Sequence, residues 1–332
     1  MEYRAFGRTG LNISVLGYGC GDVGGLIVRG TPAERTRAVA RAVELGINYF
    51  DTATSYGNGV SEQHLGQALK ELGLDVYVGT KVRLRPEDLS DIRGAVFGSL
   101  EGSLRRLNRP SVHLLQLHNP VASTAAGSAL STRQVLEEAL PALEALKQQG
   151  KIQFFGFTAL GEPDAVHQVI DSGVPYTTQV FYNLLNATAG GQAKGVLPGI
   201  DFKGLLPKAK RKGIGTIGVR ALAAGALSGA TSKHPIAMPS VAPIASGASY
   251  DVDQRAAEAL QGLVKEGHVQ SLVEAAYRFV ITHDAISTVL VGASTLDHLE
   301  QAAAAVFKGP LPEPTLARLN DLWKECGASS TT

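Results

Sequence analysis

The fold this sequence predicts is α/β, closed as a (β/α)8 TIM barrel, and three observations predict it. Short apolar runs alternate with stretches of helical length, the pattern of parallel strands joined by crossover helices. The alternation recurs eight times, enough to close a barrel. At 332 residues the chain is long for one domain, yet barrels of this kind wrap such a length around one core, so residues 1–332 read as a single domain. An open doubly wound sheet is the alternative architecture.

Each element has a local reason. Residues 3–6 and 12–16 are short runs on either side of Gly7-Arg8-Thr9-Gly10, whose two glycines and small polar residue suit a reversal, so the chain opens with a β-hairpin. Barrel strands are expected at residues 16–20, 48–53, 76–82, 112–118, 154–158, 177–182, 215–220 and 288–292. Helices are expected at 32–45, 61–72, 92–107, 135–149, 163–171, 204–212, 269–283 and 296–307. Thr31-Pro32 sets a cap residue before a first-turn proline, while Gly46, Gly150 and Gly213 follow helical runs and suit their ends. Two stretches break the rhythm: residues 187–200, with four glycines, and 230–250, rich in Ser, Ala, Pro and Gly. Both read as long loops at the C-terminal face, where such excursions wall a barrel's site. Residues 253–265 read as an extra helix and 314–324 as a C-terminal one.

Composition narrows the partner. The 31 basic and 30 acidic side chains are mixed along the chain, so no field favours nucleic acid or an anionic membrane, and a small molecule is expected. No stretch approaches the roughly 20 apolar residues that cross a bilayer, and the opening MEYRAFGRTG lacks a basic start followed by an apolar run. The two cysteines, Cys20 and Cys326, make neither a disulfide framework nor a metal cluster. These features predict a cytoplasmic protein without a metal centre, and leave monomer and homo-oligomer both open.

Polar residues gather where a barrel keeps its chemistry. The second strand reads NYFDTA and continues into TSYGNGVSE, so Asp51 stands at the strand's exit and Tyr56 in the loop beyond. The third, VYVGTKV, carries Lys81 near its exit; the fourth, VHLLQLHNP, is apolar up to His118. Singly, a strand-end Asp often caps a turn, a loop Tyr packs, a Lys snorkels and a His is an ordinary rim residue. Four such groups converging on the face that holds barrel active sites outweigh those readings.

The group suits proton transfer coupled to hydride transfer, because a carbonyl oxygen that gains charge needs an acid and Tyr56 can supply one. A free phenol, with pKa about 10, is mismatched to neutral pH. An ammonium about 4 Å away, at an effective dielectric near 20, contributes roughly 4 kcal/mol of attraction to a phenolate. Lys81 is the ammonium, Asp51 holds it, and His118 orients the substrate oxygen. A metal site of His113, His118 and Asp51 fails on geometry: His113 lies five residues before His118, so the two point to opposite faces of one strand. Cys20 reads as a small rim residue, with a reactive thiol as the alternative, and Trp323 as core packing; Tyr18 and Tyr250 are candidates to line a substrate pocket.

Asp51, Tyr56, Lys81 and His118, within DTATSYGNGVSE, VGTKV and LLQLHNP, resemble the active-site tetrad of the aldo-keto reductases. GRTGLNISVLGYG is similar to that family's opening hairpin and first strand, and QVFYNLL to its sixth, so the likeness spans nearly the whole chain. The resemblance implies a barrel that binds NADP(H), less often NAD(H), extended and without a Rossmann domain, with Tyr56 as general acid. It places Thr158 and Gln179 on the nicotinamide carboxamide. It likens VLVGASTLDHLEQA to the adenosine-phosphate segment, with Gly292 and Ser294 facing an anion at a helix start.

The chain also departs from that pattern. Thr158-Ala159 replaces the usual Ser-Asn, and Val219-Arg220-Ala221-Leu222 replaces an aromatic residue followed by Ser-Pro-Leu. Stacking on the nicotinamide at that point is then absent or purely aliphatic, Leu222 is a further candidate for cofactor contact, and Arg220 faces the cofactor's phosphates, a substrate anion or a rim salt bridge. Ala293 and His298 stand where Lys or Arg often pairs with the 2′-phosphate, and Gln301-Ala302 replaces the adenine-contacting Glu-Asn. NADP(H) is the expected cofactor, with weak discrimination against NAD(H), because a part-time imidazolium at His298 is a poor substitute for a bidentate Arg.

Three functions compete. One is reduction of an aldehyde or ketone to an alcohol. A second is oxidation of a sugar by the same tetrad, as the galactose- and fucose-oxidising branch does. The third, from a different class, is a cofactor-sensing, non-catalytic subunit resembling the potassium-channel beta subunits; it needs a partner surface, and neither a basic tail nor an exposed apolar helix is evident in the sequence.

Overall fold

The computed structural model describes residues 1–191, 195–197, 199–230 and 232–329. Residues 192–194 and 198 of the first expected loop, and 231 of the second, lie outside the described residues. The chain opens with β1 (Tyr3–Ala5) and β2 (Asn12–Ser14), an antiparallel hairpin with Tyr3 opposite Ser14. β3 (Leu16–Gly19), β4 (Tyr49–Asp51), β5 (Tyr77–Val82) and β6 (Val112–Leu117) follow. β7 (Val121–Ala122) and β8 (Leu130–Ser131) form a short pair outside the barrel. β9 (Ile152–Thr158), β10 (Thr177–Phe181), β11 (Gly215–Val219) and β12 (Ile286–Gly292) complete the set. The closed barrel runs β10-β11-β12-β3-β4-β5-β6-β9. All its pairings are parallel, and β12 against β3 closes it.

Helices cover the strands. They are α1 (Leu26–Arg29), α2 (Pro32–Glu44), α3 (Val60–Leu72), α4 (Ile92–Leu107), α5 (Thr132–Gln134), α6 (Leu140–Gln148) and α7 (Pro163–Asp171) in the first half. α8 (Leu205–Arg211), α9 (Tyr250–Ala259), α10 (Gly262–Lys265), α11 (Leu272–Thr282), α12 (Leu296–Phe307) and α13 (Glu313–Ser329) follow. α2 starts where Thr31-Pro32 predicts: the Thr31 hydroxyl accepts from the Glu34 N–H, and the Glu34 carboxylate accepts from the Thr31 N–H. Apolar helix faces pack on the outer strand surface in one continuous core that includes Val39, Leu65, Leu100, Leu115 and Leu143.

The hairpin seals one end. Arg4 Nη1 donates to the Ile286 carbonyl at the start of β12, and the Arg8 N–H donates to Gly213 just ahead of β11. Phe6 thereby plugs the N-terminal mouth, packed with Ile13, Tyr49, Leu114 and Ile217, its ring 6.0 Å from that of Tyr49. The N-terminal mouth is thereby closed to a ligand.

The structure corrects several expectations. The helix expected at 135–149 begins earlier, at α5, and widens to a π-turn over Val135–Ala139 before α6. Pro141 lacks the N–H that an α-helical bond at that point needs, which accounts for the widening. The helix expected at 253–265 is two, α9 and α10, parted at Leu260 and Gln261. The loop over 187–200 opens with a short turn at Thr188–Gly190 and packs behind the second loop, where Ile200 N–H and Asn186 Nδ2 both bond the Ala245 carbonyl. Gly19-Cys20-Gly21-Asp22-Val23-Gly24 after β3 has the GxGxxG spacing that marks dinucleotide loops of open sheets. Closure of β12 on β3 excludes the open sheet all the same.

Candidate active site

Register sets the first constraint on the site. Gly19, Asp51 and Gly79 lie side by side on β3, β4 and β5, and Lys81 lies beside Gln116 on β6. Asp51 therefore ends its strand at the level where Lys81 can reach across the barrel's interior. The Lys81 ammonium contacts Asp51 Oδ1, donates to the Thr52 carbonyl at 2.8 Å and donates to the Tyr56 hydroxyl at 3.2 Å. The second Asp51 oxygen accepts from Tyr49 Oη and from Gln179 Nε2, both at 2.9 Å. Lys81 and Asp51 are 1% and 2% exposed, so this pair is sealed from water. Burial disfavours the Lys81 charge, but the charges of Asp51 and Tyr56 and their hydrogen bonds outweigh it and hold its pKa above the ordinary value.

Tyr56 is set by the loop after β4. It opens a short turn, Tyr56–Gly59, in which Gly57 and Asn58 have left-handed backbone, φ 56° and 52°. Such angles cost little for glycine and are tolerated by asparagine. The Gly57 N–H donates to Asp22 Oδ2 at 3.0 Å, and Asp22 is itself paired with Arg29. Asp22 thus fixes the turn that presents Tyr56. Sequence reasoning missed it; the available signal was an acidic residue within the glycine run after the first strand.

His118, just past β6, stands perpendicular to the Tyr56 ring with centroids 6.3 Å apart. Its Nδ1 is buried without a partner among the described residues. Burial, then the charges of Lys81 and Arg83, push its pKa down to about 3, so the imidazole is neutral across the working range. A neutral imidazole donates one hydrogen bond without bringing charge.

A cavity of about 820 Å³ opens at this mouth. Its wall carries Asp51, Tyr56, His118, Thr158 and Gln179 and, at the ends of the later strands, Arg220, Leu222, Gly292, Ser294 and His298. Lys81 stands behind Tyr56. Among the expected residues Gln301 is set apart: it lies one turn into α12, is exposed, and donates to Asp297 at 2.6 Å. Thr158 Oγ1 donates to Gln179 Oε1 at 3.3 Å, so the two act as a unit beside Asp51. Ser294 is held by its hydroxyl on the Gly24 carbonyl, and its N–H donates to His298 Nδ1. The second long loop does wall the cavity, through residues such as Lys233, His234 and Met238, whereas no described residue of the first does.

Other expectations resolve as follows. Tyr250 lines the cavity, but Tyr18 is 1% exposed, packed edge-on against Phe50 away from it. Cys20 is fully buried rather than on the rim, and burial followed by the Asp51 charge pushes its thiol up, which keeps it protonated. His113 accepts from the Val78 N–H and packs on Tyr77, away from His118. Trp323 packs against Phe279 and donates to the Leu184 carbonyl. Among the described residues no group of three or more His, Cys, Asp or Glu side chains is placed to hold a metal ion, and no helix is long and apolar enough to cross a membrane.

Comparison with known proteins bears on the whole chain. The model of the Aldo/keto reductase family matches residues 15–324. An L-galactose dehydrogenase of Arabidopsis thaliana is 30% identical over 311 residues, covering 92% of this chain and 88% of that protein. A probable voltage-gated potassium channel subunit beta of Oryza sativa subsp. japonica is 26% identical, covering 95% and 94%. In fold, the holo form of the aldo-keto reductase AKR11C1 from Bacillus halodurans superposes with a TM-score of 0.70 at 24% identity, covering 98% of this chain and 96% of that one.

Proposed function

Because the chain belongs to the aldo/keto reductase family and is an oxidoreductase, we propose that it reduces an aldehyde or ketone to an alcohol with NADP(H), Tyr56 acting as general acid. The observation that carries this reading is the sealed Asp51–Lys81 pair with its ammonium 3.2 Å from the Tyr56 hydroxyl, at the edge of an open cavity.

The residues present fit a dinucleotide. The cavity that holds Tyr56 is also lined by Ser294 and His298 beside the start of α12, whose dipole favours phosphate. A Cβ at Gly292 would meet no atom within 4 Å, leaving room for a ligand against the backbone. Thr158 and Gln179 would hold the carboxamide, Val219 would offer the ring's face at most aliphatic contact, Leu222 would line the cofactor beside it, and Ser294 and His298 would hold the adenosine phosphate. When bound, a reduced nicotinamide supplies the hydride.

Tyr56 donates its hydroxyl proton to the substrate oxygen as that oxygen gains charge. Lys81 stabilises the charge left on the Tyr56 oxygen, and Asp51, braced by Tyr49 and Gln179, keeps the ammonium aimed. His118, neutral, donates a hydrogen bond to the same substrate oxygen and orients it. A general acid of this kind contributes about 10²–10⁴ in rate.

A second reading, NAD(P)-dependent oxidation of a sugar by the same residues, draws support from the 30% identity to an L-galactose dehydrogenase. A non-catalytic, cofactor-sensing role draws on the likeness to a channel subunit; cofactor binding with negligible turnover would favour it. Fluorescence titration with NADPH and NADH tests the cofactor reading before any substrate is known. Micromolar binding of NADPH with much weaker NADH supports it as stated. Equal affinities favour the sugar dehydrogenase, and binding of neither overturns the proposal.

A further inference from the structure

The charges on the cavity wall do not balance. Its two acids are engaged, Asp51 by Lys81 and Asp22 by Arg29. The cations Arg83, Arg220 and Lys233 also line it, and none of them forms an ion pair with an acid of the described residues. Arg83 is exposed and bonds Ser128. Arg220 and Lys233 are different.

Arg220 follows β11 in left-handed backbone, φ 60°, an angle that costs an L-residue conformational energy. The surroundings impose it: the Arg220 carbonyl accepts from Asn183 Nδ2 and from the Ala223 N–H, both at 2.9 Å. The side chain so directed lines the cavity half-buried, within electrostatic reach of Tyr56 and of Asp253. Asp253 makes no ion pair with it: its two oxygens accept from the Ser246 hydroxyl at 2.7 Å and the Gly247 N–H at 2.8 Å, and its charge acts on the guanidinium without contact. Its guanidinium has no hydrogen-bond partner among the described residues, although five donors in a fixed fork make Arg the side chain most suited to an oxyanion.

Lys233, from the second long loop, sits over the Tyr250 ring at 4.2 Å and, among the described residues, donates to just two backbone carbonyls, each at 3.4 Å. Burial first, and then the like charge of Arg220, push its pKa below the ordinary value. Two neighbouring cations with no acid in direct contact among the described residues repel each other, a cost that a bound anion removes.

We propose that Arg220 and Lys233 form an anion subsite beside Tyr56 that binds a carboxylate or phosphate carried by the carbonyl substrate itself, so that the preferred substrates are anionic aldehydes or ketones. The proposal rests on the carbonyl-reduction reading for the position of the reacting carbonyl. The same chemistry could be served by the diphosphate of the cofactor, and the test separates the two sources.

The probes are 4-formylbenzoate and its methyl ester, matched in reacting group and differing in charge. Their binding to the protein–NADPH complex is measured by calorimetry, their turnover by NADPH consumption, and NADPH affinity by fluorescence, for the natural chain, Arg220→Gln and Lys233→Met. The natural chain binds 4-formylbenzoate at least about tenfold more tightly than the ester. Arg220→Gln brings that ratio close to one, and Lys233→Met reduces it severalfold, while each variant keeps NADPH affinity within about twofold. Equal binding of acid and ester by the natural chain overturns the proposal. So does an unchanged ratio in Arg220→Gln, and tenfold weaker NADPH binding alongside it assigns the cations to the cofactor. Charge-selective binding with no consumption of NADPH counts against the carbonyl-reduction reading while leaving the subsite standing.

Discussion

Breaking the Asp51–Lys81 pair from one side should be more harmful than removing both charges. Lys81→Met strands the Asp51 carboxylate at 2% exposure, where water cannot replace the ammonium. Two donors remain, Tyr49 and Gln179, and the Thr52 carbonyl loses its partner. An orphaned buried charge of this kind costs about 3–5 kcal/mol. Asp51→Asn strands the ammonium instead and should cost a similar amount. The double variant leaves a neutral amide that Tyr49 and Gln179 can still contact, so its loss should fall short of the sum by about 2 kcal/mol or more, within the range measured for coupled contacts. The protein's one tryptophan, Trp323, packed on Phe279, reports urea unfolding for all four members of the cycle. Losses that add to within about 0.5 kcal/mol would mean independent sites, and the account of Lys81 as an ammonium held by Asp51 would be wrong.

Two further outcomes follow from local geometry. His118 has its pKa held near 3 in the folded chain. The unfolded chain, titrating near 6.5, binds this proton first as pH falls, so stability decreases below that value and this group alone removes about 2 kcal/mol between pH 7 and pH 5. Urea midpoints across that interval should decline less in His118→Gln, and identical declines would count against a buried neutral imidazole. Gly66 in α3 lies against the α4 terminus, where a Cβ would stand 2.4 Å from the Leu107 carbonyl oxygen. Gly66→Ala should therefore destabilise by about 1–3 kcal/mol despite alanine's better helix propensity; a rise in thermal midpoint would show that the helices separate freely.

The architecture was legible where local chemistry and periodicity agree. Apolar strand runs, the Gly7–Gly10 reversal and the Thr31-Pro32 cap all recur in the structure near their expected positions. Irregular parts were not legible. α1, the β7–β8 pair and the π-turn before α6 answer to tertiary contacts or to one proline, not to a period. That Asp51, Tyr56, Lys81 and His118 gather at one mouth was legible because Asp51, Lys81 and His118 stand at or next to strand ends, where register sets position, and Tyr56 follows only five residues after Asp51. The support behind it was not: Tyr49 on the Asp51 carboxylate and Asp22 on the Gly57 N–H join residues whose proximity only the closed barrel creates. For the same reason the sequence left Arg220 among three roles, since Lys233 lies on a loop with no periodic signal.

The central claim is that hydride reaches a carbonyl carbon while Tyr56 protonates its oxygen. NADPH deuterated at the transferring position, incubated with a carbonyl substrate and the purified protein, tests it by mass spectrometry of the alcohol. The account predicts deuterium on the new carbinol carbon, with a rate lower by about 10²–10⁴ in Tyr56→Phe while NADPH affinity stays within a few-fold. Alcohol without the label, or equal rates in the two proteins, would contradict it.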